Sequence, residues 1–452
     1  MHFKGKAKKE KRRTKIMIWA KEETYSREEI ECIQLRKLKE TIAYIYERVA
    51  PYREKMDKAG VKPEDIQTLS DLKRLPFTYK ADFRENYPMG LFAVPKEELV
   101  RFHASSGTTG KPTIVGYTRN DMKVWTNNVS RIACMGGASS KDICQIAFGY
   151  GTFTGAQGLH GGLENIGASV IPTSSGNTKK QIMFMKDLGT TLLVATPSYA
   201  LHLGEVIRSM GLDPQKDLKV RRALFGGEGM TEPMRQEMYR LWGEDFHCTQ
   251  NYGMSELCGP GVSGECEELH GMHVNEDWFI PEIIDPKTEE VLPPGSKGEL
   301  VVTCLGKEAL PLVRYRTGDI TRLMYEPCAC GRNTCRMESI SGRSDDMLVI
   351  RGVNVFPTQV EEVLLKIPEI GPHYQIEVKR KDRLDVMTIT VELIDDRLLD
   401  SYGLLKELEA RVRKNLKALL GLDAVIRLVA PMSLERFEGK AKRVTDLRGD
   451  GL

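Results

Sequence analysis

Ser105-Ser106-Gly107-Thr108-Thr109-Gly110-Lys111 is an unbroken run of small, hydroxylated or cationic residues. Glycine lets backbone N–H groups approach an anion, and Ser and Thr hydroxyls add donors. Lysine closes the run with a point charge. Together these make a loop that wraps a polyphosphate. It is not a Walker loop, which needs a longer gap between its glycines and a Ser or Thr after the lysine. Here only Thr108 and Thr109 separate Gly107 from Gly110, and Pro112 follows Lys111.

Five further blocks follow in order: Gln250-Asn251-Tyr252-Gly253-Met254-Ser255-Glu256, Tyr315-Arg316-Thr317-Gly318-Asp319, Gly342-Arg343-Ser344-Asp345-Asp346, Arg351 through Pro357, and Glu438 through Arg443. With the loop, they resemble the adenylate-forming superfamily of acyl-CoA synthetases, luciferase and peptide-synthetase adenylation domains. Within it the chain is most similar to the phenylacetate-CoA ligase family. His103-Ala104 before the loop and Gly116 through Asp121 after it carry that closer likeness. The resemblance runs from about Ile18 to Asp446.

The resemblance implies ATP-dependent, AMP-forming ligation of an aryl acid to coenzyme A through an acyl-adenylate. Phenylacetate leads, with indoleacetate or a non-CoA acceptor as alternatives. Ser105 through Lys111 would hold phosphates, and Thr108, Glu256 and Lys440 would be catalytic. Glu256 offers the carboxylate that Mg²⁺ prefers alongside phosphate oxygens. Gly226-Gly227-Glu228 matches the adenine-side loop, and Asn251, Tyr252, Gly253, Met254 and Ser255 complete that wall. Asp319 matches the ribose ligand, Arg343 a ribose or phosphate partner, and Asp345 the hinge. Lys440 matches the lysine that reaches the α-phosphate. Tyr150 and Phe153, in the segment Phe148 through Gly155, match the part that meets the aryl group, with Gly226 beside it. Two rings flanked by glycines suit a flat aromatic acid.

Pro327-Cys328-Ala329-Cys330 departs from the best-known members of that family. A C-x-C pair plus Cys266 and His273 can complete a tetrahedral Zn²⁺ site, with His270 and Cys335 as alternates. The spacing is not that of a standard zinc finger.

These groups need a scaffold. With 452 residues, 41% hydrophobic and 29% charged, the chain can build two or three globular units. Ile143 to Phe148, Ala168 to Ile171, Thr191 to Ala195 and Val220 to Phe225 are short apolar runs between helical patterns, which predicts an α/β body with buried parallel strands. Ser26 with Glu29 predicts a capped helix start; Leu38, Ile42, Ile45 and Val49 continue it, and Pro51 is expected to end it. In the tail, Gln375 to Val378, Val386 to Leu393 and Ala424 to Val429 read as strands. Leu404, Leu408, Val412, Leu416 and Leu419 read as one helix stripe. The expected organisation is a basic tail over 1–16, an α/β domain over 17–341 and a small mobile α+β domain over 342–452.

A net charge of +3 is too small to argue for nucleic acid. A zinc-containing nucleic-acid binder would explain the basic tail and the cysteines, but not the phosphate loop. No apolar run approaches the roughly 18–20 residues that span a bilayer, and no signal-peptide core is seen. Ten cysteines in so long a chain fit a reducing cytoplasm. A homodimer is left open.

Overall fold

The computed structural model describes residues 17–105, 112–343, 348–351, 353–381, 384–437 and 441–448. A hairpin of β1 (Leu99–Ala104) and β2 (Ile114–Thr118) flanks the Ser105–Lys111 run on both sides. Five strands then run parallel: β3 (Ile143–Ile146), β4 (Ser169–Ile171), β5 (Leu192–Ala195), β6 (Arg222–Phe225) and β7 (His247–Tyr252). All of β5 is buried, as expected for a strand covered on both faces.

The sheet continues antiparallel through β8 (Ser263–Glu265), β9 (Met272–Val274), β10 (Phe279–Ile284), β11 (Lys297–Cys304), β12 (Tyr315–Met324) and β13 (Arg336–Met337), with β14 (Gly342–Arg343) paired to β12. Among the described residues this is one sheet of twelve strands, in the order 4-3-5-6-7-8-9-13-12-11-10. β12 alternates strictly between buried and half-buried positions, so one of its faces is turned to the core.

The predicted helix forms over Arg27–Arg48, capped by Ser26 and Glu29, with Leu38, Ile42 and Ile45 buried. Pro51 does not simply end it. A second helix, Ala50–Lys58, begins there with the proline in its first turn, where the missing N–H costs nothing.

After Arg343 the apolar side chains form a separate cluster. β15 (Leu348–Ile350) pairs with β16 (Val353–Val355), and β17 (Ile370–Lys381), β18 (Leu384–Leu393), β19 (Val425–Val429) and β20 (Val444–Asp446) form a four-stranded sheet. The helix Tyr402–Leu420 packs on this unit through Leu408, Val412, Leu416 and Leu420. The stripe is therefore corrected at both ends: Leu404 and Leu419 are exposed. Adjacent leucines at 404–405 and 419–420 leave the pattern a choice, and packing selects Leu420 over Leu419.

Candidate active site

In an open parallel sheet, ligands gather beyond the carboxyl ends of the strands. The chemistry-bearing residues lie there. Gly226 and Gly227 leave the end of β6, and Tyr252 ends β7. Gly227 has φ +78, which favours glycine, and a Cβ there would stand 3.6 Å from the Phe148 ring. Asn251 donates to the Phe225 carbonyl at 2.8 Å and holds the two strand ends together. At Gly253 any side chain is excluded, because a Cβ would lie 1.5 Å from the Gly259 carbonyl oxygen. The chain then enters a short helical turn, Ser255–Leu257, with Met254 before it and Glu256 buried inside it.

Three cross-links bring the distant blocks to this place. Ala104 N–H donates to the Thr152 carbonyl at 3.0 Å, and His103 Nδ1 donates to the same oxygen at 3.0 Å. The strand leading into the Ser105–Lys111 run is thus tied to the segment Phe148 through Gly155. Thr154 Oγ1 bonds Ser255 Oγ at 3.0 Å, which ties that segment to the Glu256 turn. Tyr315 OH donates to Glu256 Oε1 at 3.5 Å, so the Tyr315 block meets the same carboxylate.

Asp319 sits at the centre of the other wall. Tyr252 OH donates to its Oδ2 at 2.6 Å, and Arg343 Nη1 donates to its Oδ1 at 2.7 Å. Arg343 also donates to the Thr317 carbonyl at 3.1 Å. Pairing of β12 with β14 sets Asp319 directly opposite Arg343, so the ladder itself aligns the ion pair. Burial and then the Asp319 carboxylate hold the Tyr252 hydroxyl well above the usual phenol range, so it stays a donor.

Ser105 is described: its N–H bonds the Thr113 carbonyl at 3.0 Å, and its buried Oγ has no partner among the described residues. Ser106, Gly107, Thr108, Thr109, Gly110 and Lys111 lie outside the described residues, as do Asp345 and Lys440. Tyr150 is half-buried, with its hydroxyl 2.9 Å from His160 Nδ1, whereas the Phe153 ring is 43% exposed and lies against Gly155.

Glu228 reaches toward the second core. It accepts from Ser198 Oγ at 2.9 Å and Ser198 N–H at 3.2 Å, and from the Ala441 N–H across the seam. The roles of three further residues had no signal in sequence, although Tyr117 lies within the Gly116 through Asp121 block. Ser198 is one. Lys307, buried, donates to the Glu256 carbonyl at 2.8 Å, and Tyr117 OH donates to the Ser255 carbonyl at 3.2 Å. Nothing local marks them, because each acts across 50 or more residues, apart from Ser198, which lies 30 from Glu228.

Cys266, His273, Cys328 and Cys330 also meet, with their ligand atoms all within 4.8 Å of one another. The alternates do not join them: His270 is exposed, and Cys335 is buried outside the group.

Comparison with known proteins fits this geometry. The model of AMP-binding enzymes matches residues 14–304, and that of the AMP-binding enzyme C-terminal domain matches 352–448. A phenylacetate-coenzyme A ligase of Thermus thermophilus is 48% identical over 440 residues, 94% of this chain and 98% of that one. A crystal structure of 2-hydroxyisobutyryl-CoA ligase in its postadenylation state, with an acyl-AMP, superposes with a TM-score of 0.88 at 27% identity, over 94% of this chain and 91% of that one. The same ligase in its thioesterification state, with CoA, gives 0.69 over 95% and 92%.

Proposed function

The chain belongs to the phenylacetate-coenzyme A ligase family of AMP-binding enzymes, and on that premise we propose that it joins phenylacetate, or a closely related aryl acid, to coenzyme A at the expense of ATP. The observation that carries this reading is the convergence of Ser105, the Phe148 through Gly155 segment, Glu256 and the Tyr252–Asp319–Arg343 cluster beyond the strand ends.

The aryl carboxylate attacks the α-phosphorus of ATP, the bond to pyrophosphate breaks, and acyl-AMP forms. The CoA sulfur then attacks the acyl carbon, loses its proton, and AMP leaves with the bonding electrons. Both steps build charge that fixed donors and cations can stabilise. Residues 105–111 hold the β- and γ-phosphates, with Thr108 among the catalytic groups. Asp319 accepts the ribose hydroxyls, Arg343 braces Asp319, and Gly226 through Glu228 with Asn251 through Ser255 line the adenine side. Tyr150 and Phe153 face the aryl group. Lys440 supplies the cation for adenylation, and a hinge at Asp345 carries the part of 342–452 beyond it to its thioester-forming position, while Gly342 and Arg343 stay paired with β12.

Glu256, a buried carboxylate, has the chemistry to hold Mg²⁺, which would neutralise phosphate charge. Zinc is the second metal of this reading, held at the four-residue Cys/His group and away from the reaction. The cysteines are free, which fits a reducing compartment, and the cytoplasm is the proposed location. A homodimer is testable by light scattering. No helix among the described residues is long and apolar enough to cross a membrane.

A release assay over a panel of aryl acids, with and without CoA, tests the reading. AMP and pyrophosphate are expected, with phenylacetate giving the highest kcat/KM. ADP and phosphate would reject it, a better indoleacetate would change the substrate, and AMP without thioester would change the acceptor. Lys440→Ala is expected to slow adenylation by roughly 10²–10³. The same variant should leave thioester formation from synthetic aryl-adenylate intact, and Asp345→Pro should do the reverse.

A further inference from the structure

The ligation chemistry leaves one group of reactive side chains unused. Cys266 follows β8, His273 lies in β9, and Cys328 and Cys330 occupy the connection between β12 and β13. Cys266 Sγ is 3.7 Å from Cys328 Sγ, and Cys330 Sγ is 3.3 Å from His273 Nε2. A tetrahedral ion with Zn–S bonds of about 2.3 Å and a Zn–N bond of about 2.0 Å requires S–S edges of about 3.8 Å and S–N edges of about 3.5 Å. These two edges match such an ion, and all four ligand atoms lie within 4.8 Å of one another.

The histidine is oriented for the task. Its Nδ1 lies 3.1 Å from Thr334 Oγ1 and 3.3 Å from the Thr334 carbonyl oxygen. A carbonyl only accepts, so the proton sits on Nδ1 and the Nε2 lone pair faces the thiols. A hydrogen bond of this kind fixes the tautomer and ring of a metal-bound imidazole. Cys266, His273 and Cys330 are buried and Cys328 is half-buried, which leaves a closed site with four protein ligands, the pattern of a structural rather than a catalytic zinc.

What surrounds the group says what the ion would hold. Two residues past Cys330, Arg332 makes a fully buried ion pair with Glu23 at 2.5 Å and donates to the Met17 carbonyl at 2.6 Å. Asn333 donates to the Glu23 carbonyl at 3.0 Å and to the Thr24 carbonyl at 2.9 Å. On the opposite side Glu265, next to Cys266, pairs with Arg235 at 2.9 Å and accepts the Gln250 N–H of β7 at 3.1 Å.

We infer that Cys266, His273, Cys328 and Cys330 bind one zinc ion in a closed Cys₃His site, and that this ion staples the loop holding residues 17–24 to the edge of the nucleotide-binding strands. The inference rests on the zinc part of the preceding reading and not on its ligase part.

The full chain, purified without chelator from zinc-supplemented medium, is expected to carry about one zinc. Cobalt in its place should give the intense d–d bands of tetrahedral coordination and thiolate-to-cobalt charge transfer. Cys266→Ser with Cys330→Ser should lose the metal, whereas Cys144→Ser, a buried cysteine in β3, should keep it. If the double variant does not fold, the wild type still decides: mercurial modification of its thiols should release about one zinc to a chromogenic chelator. Release should also open residues 17–24 to limited proteolysis. Zinc at background level, or a weak octahedral cobalt spectrum, overturns the site, and an unchanged cleavage pattern after release overturns the staple. Active ligase without zinc would sink the metal and spare the ligase reading; zinc without AMP formation would do the opposite.

Discussion

The Tyr252–Asp319–Arg343 cluster and the seam between the two cores are both polar, but they are anchored differently. In the cluster, Asp319 and Arg343 occupy facing positions of paired strands, and Tyr252 ends a strand of the same sheet. At the seam, His373 of β17 meets Glu205 at 3.0 Å, Thr231 donates to Glu361 at 3.2 Å, and Ala441 N–H donates to Glu228. Arg436 stands 3.7 Å from the same Glu205. Burial alone would raise the Glu205 carboxyl, but His202 and His373 outweigh it and hold it at about 2. The described strands of the two cores do not pair with each other, and their apolar side chains fall into separate clusters, with Leu365 a half-buried exception. A backbone ladder fixes the cluster's side chains, whereas the seam is crossed by bonds of buried or half-buried side chains. The cluster is thus fixed by the sheet it belongs to, and the seam by contacts between side chains of the two cores.

Asp319→Ala should break the anchored side most severely. It leaves Arg343 and Tyr252 without their shared acceptor, so adenylation should fall by roughly 10²–10³, read as pyrophosphate release. An adenylation rate within a few-fold of wild type would end the claim that this wall is catalytic. Tyr252→Phe is a finer cut. It removes one 2.6 Å hydrogen bond to a carboxylate, which costs about 1.5–3 kcal/mol, visible as lower melting temperature and weaker AMP binding together. Loss of stability with unchanged AMP affinity would move Tyr252 from the site to the core. The smallest effect belongs to the seam. His373→Ala leaves Glu205 to His202 and Arg436, so stability should fall by about 1–1.5 kcal/mol, while the ratio of adenylation to thioester formation shifts. A large fall in melting temperature would show the seam to be anchored after all, and the contrast would collapse.

The sequence showed the pieces of the site better than their assembly. Glycine-rich and acidic blocks are legible because their chemistry is local: Gly253 must be glycine for want of space, and Glu256 follows within the same turn. That Arg343 braces Asp319 depends on pairing between strands 24 residues apart, and no periodicity reports it. Lys307 under Glu256 is a lone lysine whose role exists only in three dimensions. In the fold, parallel strands were legible from runs of consecutive apolar residues. Helix ends were less so, because Pro51 can close one helix or open the next, and adjacent leucines at 419 and 420 are chosen between only by packing.

The Glu23–Arg332 pair joins side chains 309 positions apart. During synthesis at about 5–20 residues per second, Glu23 would emerge roughly 15–60 s before its partner exists. Over that interval Glu23 accepts from the N–H groups of Trp19 and Ala20, while Trp19 and Glu22 can already meet Asn127 and Arg131. The Arg332 tie of the opening stretch therefore forms late, after strands β1 to β12 have been made, and a ribosome-stalled fragment ending before Arg332 should leave residues 17–24 more open to proteases.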